Sequence, residues 1–121
     1  MASKRQNQVA ELIKRNFSLV LQQEGTYIYQ DAFVTVTNVI MSPDLGLAKI
    51  YVSVFVEEEK QIVLMKIQEH TVRLKQLLAA RIRNKVRRMP DIRVYLDETL
   101  DEMYKLNEIF DQLKDEKKGS D

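Results

Sequence analysis

The chain has 121 residues, 45% of them hydrophobic and 31% charged, which suits one globular domain and excludes a wholly disordered chain. It contains no cysteine, which removes disulfides, thiolate nucleophiles and cysteine metal sites together. The formal charge of +1 hides an asymmetry: residues 1–93 carry 15 Lys/Arg against 9 Asp/Glu, and residues 94–121 carry 4 against 9.

A basic body with an acidic end predicts a surface that faces a polyanion. The opening MASKRQNQVAELIKRNF lacks the continuous apolar run of a signal peptide, and no segment approaches about 20 apolar residues. A cytoplasmic protein with no membrane partner is therefore expected.

From Arg5 to Glu24, Val9, Leu12, Ile13, Phe17, Val20 and Leu21 recur at helical spacing, with Ser3 as N-cap and Gly25 as stop. TYIYQDA (26–32) reads as a connector or short extended piece. FVTVTNVIM (33–41) is rich in β-branched residues and predicts a strand. SPDLG (42–46) has turn chemistry, and LAKIYVSVFV (47–56) alternates strictly. In that second strand Ile50, Val52, Val54 and Val56 point one way, and Lys49, Tyr51, Ser53 and Phe55 the other. The pair predicts an antiparallel hairpin.

After the acidic EEEK (57–60), a helical pattern runs through Ile67, Leu74, Leu78, Ile82 and Val86 to Pro90. Its length predicts a bend between 69 and 80, although no Gly or Pro marks the place. DIRVYLD (91–97) predicts a third strand with Ile92, Val94 and Leu96 inward and Arg93 and Tyr95 outward. Asp97 or Thr99 then caps a last helix along Leu100, Met103, Leu106, Phe110 and Leu113, ahead of the frayed tail KDEKKGSD. The division expected is a domain over 1–113 and a charged tail over 114–121.

The order is α-β-β-α-α-β with an appended helix: an α+β fold with a three-stranded sheet and helices on one face. It matches the type II KH arrangement, which is widely used for RNA.

Little in the chain suits catalysis. The single histidine, His70, has no partner at a suggestive spacing, and neither G-x-x-x-x-G-K-[ST] nor G-x-G-x-x-G occurs. A non-enzyme without metal, cofactor or small-molecule substrate is expected. The stronger signal is RIRNKVRRMPDIR (81–93), where Arg81, Arg83, Lys85, Arg87, Arg88 and Arg93 face one acid, Asp91. On a continued helix Arg81, Lys85 and Arg88 share one face, with Arg83 and Arg87 on its flank. Such a ridge neutralises phosphates, and Lys4, Arg5, Arg15 and Lys49 extend it. Tyr51 and Phe55 share a face with Lys49, but no base-stacking platform is evident, so readout of RNA shape and backbone is expected. An adaptor whose ridge meets an acidic protein is the alternative.

Three separated motifs give a more specific likeness. RQNQVAELIKRNF opens the chain. VTNVIMSPDLGLAKIYVSVF follows the pattern V-x-x-S-x-D-L-x-x-A-K-V-Y-V-S through Val39, Ser42, Asp44, Leu45, Ala48, Lys49, Tyr51, Val52 and Ser53. VRRMPDIRVYLDETLD follows L-R-x-x-P-E-L-x-F-x-x-D-x-S-L through Arg87, Pro90, Asp91, Ile92, Asp97 and Leu100.

Over residues 5–113 the chain resembles the bacterial ribosome-binding factor A family. The resemblance implies a KH-like assembly factor that binds the small (30S) ribosomal subunit and its 16S rRNA during maturation, and a monomer is the simplest reading of the chain. It implies help with 5′-end processing of the rRNA and with growth in the cold, by binding alone. The family replaces the G-x-x-G loop of ordinary KH domains with a kink on Ala-x-Gly. That position falls here on Val72-Arg73-Leu74.

The acidic end is expected to compete with RNA for the basic ridge.

Overall fold

The computed structural model describes residues 2–30, 32–55 and 59–97. The predicted last helix, the tail and Val56 lie outside the described residues. The element order is α1 (Lys4–Tyr29), β1 (Phe33–Met41), β2 (Leu47–Phe55), α2 (Lys60–Glu69), α3 (Thr71–Ile82) and β3 (Asp91–Leu96).

Ser3 caps α1 as expected. Its Oγ accepts the Gln6 amide at 3.1 Å, and Gln6 Oε1 accepts the Ser3 amide at 2.7 Å, a reciprocal capping box. The same Gln6 donates through Nε2 to the Met41 carbonyl at 3.1 Å, which fastens the start of α1 to the end of β1.

Gly25 does not end the helix, and most of the expected connector is helical through Tyr29. The glycine is there for space. Tyr29 folds back along the helix and donates from Oη to the Leu21 carbonyl at 3.3 Å. A Cβ on residue 25 would meet the Tyr29 hydroxyl and lie 2.7 Å from its Cζ. Burial of Tyr29 also pushes its phenol above the ordinary 10.0.

The sheet order is β1-β2-β3, with β1 antiparallel and β3 parallel to the central β2. Thr37 is an extra residue in the β1–β2 register, between Val36 and Asn38. Its Oγ1 donates to Asp97 Oδ2 at 2.5 Å, so the bulge on one outer strand holds the end of the other. Helices cover one sheet face over a wholly apolar core that includes Phe17, Ile50, Val52, Leu74, Leu78 and Ile82.

The expected bend lies at His70, two residues before the family's Ala-x-Gly position. Side chains take up carbonyls at the break. His70 Nδ1 faces the Lys66 carbonyl at 2.8 Å, and Thr71 Oγ1 donates to that of Gln68 at 2.7 Å. A helix can therefore kink here without Gly or Pro.

Gly25 gives a test with a decided sign. On helix propensity alone Gly25→Ala would stabilise by about 1 kcal/mol, but displacing Tyr29 should destabilise by about 1–3 kcal/mol. In a Tyr29→Leu background the same change should turn stabilising. Urea unfolding of the four proteins checks this, and additive effects would show that the tyrosine does not set the requirement.

Candidate nucleic-acid interface

Helix α3 stops at Ile82, so Lys85 and Arg88 are not on a helical face with Arg81. The Arg83 amide bonds the Ala79 carbonyl at 2.9 Å and the Lys85 amide bonds that of Ile82 at 2.8 Å, after which the chain leaves the helix. Val86, at the spacing that continues Leu78 and Ile82, still packs on the core, as do Met89 and the fully buried Pro90. The anchors pack inward, and Arg83 and Lys85 before them and Arg87 and Arg88 between them stand exposed. The ridge is a loop pinned at three apolar points.

Two contacts bring α1 alongside. Arg73 forms a two-pronged pair with Glu24 at 3.3 and 3.4 Å, and Arg81 Nε donates to Asn16 Oδ1 at 3.2 Å. Their order makes α1 and α3 antiparallel, so the start of α1 meets the loop after α3. Arg5, Arg87 and Arg88 there border a cleft of about 480 Å³ with Asp44, floored by Val9, Leu45, Val86 and Pro90. Lys4 and Arg15 flank a separate groove on α1, together with Glu11.

The one acid of the basic segment is engaged outside it. Asp91 accepts from Lys75 Nζ at 3.2 Å and from the Ile92 amide at 3.1 Å, which holds its carboxyl below the ordinary 3.8. Arg93 adds a weaker attraction to it. Asp44 is also held below 3.8, first by the Ser42 hydroxyl at 2.7 Å, then by the Gly46 amide at 3.0 Å, with Arg88 adding attraction. Arg88 approaches so closely that a Cβ on Gly46 would lie 3.0 Å from its Nη2. Pro43, Asp44 and Gly46 thus form the turn that the sequence predicts. The left-handed residue of that turn is Leu45, at φ 60°.

Lys49 and Arg93 are not beside the loop. Their strand neighbours Ala48, Ile50, Ile92 and Val94 are buried under the helices, so these two cations project from the opposite sheet face as register partners. On that face Tyr51 stacks on Tyr95, with ring centroids 5.6 Å apart. The sequence reading found no stacking platform. The signal was the matched alternation of LAKIYVSVF and DIRVYL, whose parallel register puts the two tyrosines side by side.

Residues 5–110 match the family described as ribosome-binding factor A. The chain belongs to that family. A relative of the same name from Cytophaga hutchinsonii is 36% identical over 118 residues, covering 98% of this chain and 89% of that protein. The fold is that of the ribosome-binding factor A crystal structure from Thermus thermophilus, at TM-score 0.64 and 23% identity over 75% of this chain and 94% of that one. A Thermus thermophilus homology model, fitted into a cryo-electron microscopy map of a complex between the 30S subunit and that family member, matches at TM-score 0.56. It is 29% identical, over 71% of this chain and 88% of that one. The family is one of ribosome-binding factors. No helix among the described residues is long and apolar enough to cross a membrane, and no group of three or more acids or histidines there is placed to hold a metal.

The depressed Asp44 predicts an acid-sensitive turn. A carboxylate lowered in the folded state adds stability above its unfolded value and loses it as pH falls through the folded one. Asp44→Asn should therefore melt at a lower temperature than the parent at neutral pH. The gap should close as pH falls through the lowered Asp44 titration, below the ordinary carboxylate range. Calorimetric melts across that range test it, and a gap independent of pH would assign the effect to shape alone.

Proposed function

We propose that this protein binds the small ribosomal subunit and its 16S rRNA in the cytoplasm during subunit maturation. It acts as a monomer, aids 5′-end processing of the rRNA and catalyses nothing itself. The observation that carries the reading is the loop 83–90, where exposed cations surround apolar residues packed on the core, in a chain of the ribosome-binding factor A family. The fit of a Thermus thermophilus relative into a 30S complex map supports the choice of subunit.

Binding energy here comes from phosphate neutralisation and counterion release, which suits a factor that must later leave. Occupancy is the mechanism: the bound factor holds an RNA conformation or excludes a premature partner. Arg81, Arg83, Lys85 and Arg87 take phosphates, with Arg5 reaching the same side across the cleft, while Arg88 is partly committed to Asp44.

Co-sedimentation with vacant and immature small subunits over a salt series tests the reading. If about four phosphates are contacted, log K should fall on log salt with a slope of about −3. Arg81→Glu/Lys85→Glu/Arg87→Glu should stay folded and lose binding. Parent-like sedimentation by that variant would refute the loop as the contact. Failure of the parent to bind small subunits at low salt would overturn the function and favour an acidic protein partner.

A further inference from the structure

The helix-side loop leaves the other sheet face unexplained. Its residues alternate out of the core along all three strands, and its centre is the Tyr51–Tyr95 stack. At one end the register partners Phe33 and Phe55 stand 69% and 79% exposed, a costly way to leave two phenylalanines in water. At the other end lie Lys49 and Arg93, both exposed and neither in a salt bridge among the described residues. Asp91, at the rim, bonds Lys75 and only adds a weaker attraction to Arg93. Rings in the middle and at one end, with exposed cations at the other, complement a strand of stacked bases on an anionic backbone. An aliphatic protein helix would leave the two cations unmatched.

We propose that this open sheet face is a second RNA site, for single-stranded RNA, with Phe33, Phe55, Tyr51 and Tyr95 stacking bases and Lys49 and Arg93 holding the backbone. Sheet-borne aromatics read unpaired bases in this way, whereas double-stranded RNA offers none to stack. The site deepens the proposed function, since it rests on the reading that the protein meets RNA. It also divides the labour. The loop side takes the backbone of structured RNA, and the sheet side takes an unpaired segment.

Full-length protein titrated into a short fluorescein-labelled oligouridylate, and into a blunt RNA duplex, tests the proposal by anisotropy. Ring-proton shifts of Tyr51 and Tyr95 are followed by NMR. The single strand should bind and move both tyrosine signals. Phe33→Ala/Phe55→Ala and Lys49→Ala/Arg93→Ala change only exposed side chains, so both should keep the parent circular dichroism spectrum. Each should weaken single-strand binding about tenfold. The loop variant Arg81→Glu/Lys85→Glu/Arg87→Glu should retain the tyrosine shifts, which separates this site from the loop. Single-strand affinity unchanged in both sheet-face variants would overturn the proposal without touching subunit binding. No binding of the oligouridylate would also overturn it, leaving the face to a protein segment, residues 98–121 of the chain among them.

Discussion

The parallel pairing of β3 with β2 is the constraint on which the rest of the molecule depends. The Asp91 amide bonds the Gly46 carbonyl at 2.8 Å to open the ladder, and the Asp97 amide bonds that of Val52 at 2.7 Å to close it. A chain that leaves β2 at Phe55 must therefore travel back to the level of Leu47 before β3 can begin. Nine strand residues span about 30 Å, and the 22 helical residues of α2 and α3 reach about 33 Å if laid end to end. The return is made by helix, broken once at His70 so that both pieces lie against the sheet.

That return path also produces the cationic loop. Helix α3 ends above the core, and eight residues must still carry the chain down to Asp91. Val86, Met89 and Pro90 secure this descent because each has apolar surface to bury. The cations before and between them, Arg83, Lys85, Arg87 and Arg88, stay exposed to water. The turn 42–46 lies at the landing point, and Gln6 holds the start of α1 to Met41 beside it. Arg5 and the loop arginines therefore meet at one cleft although some 80 residues of sequence separate them.

How far this was legible from the residues differs from element to element. Alternation in LAKIYVSVF and DIRVYL marks the strands and their buried rows, because a period of two has no helical competitor there. The hairpin follows from SPDLG. The register of β3 on β2, and hence the Tyr51–Tyr95 stack, needs tertiary pairing that no local pattern contains. Val86 misleads in an informative way: its spacing from Ile82 continues the helical stripe, and its side chain does reach the core, but along a different backbone path. Gly25 misleads for the opposite reason. A glycine reads as a helix stop by default, and here the tyrosine one turn later explains it. His70 and Thr71 break a helix through their own side chains, a device that composition does not announce.

The ten cations singled out from the sequence form three groups rather than one. Arg5 joins Arg81, Arg83, Lys85, Arg87 and Arg88 around the loop, Lys4 and Arg15 share the outer groove of α1, and Lys49 and Arg93 lie across the sheet. Within the first group Arg88 lies against the hairpin turn, where it adds attraction to Asp44, and Arg81 bonds Asn16 and so ties α3 to α1. Arg81 thus helps to seat α3 on α1 while remaining among the exposed cations of the group. No ionised group among the described residues is buried, so the contacting cations carry little desolvation cost and remain screened by salt. Such a surface favours reversible occupancy of a polyanion over permanent assembly.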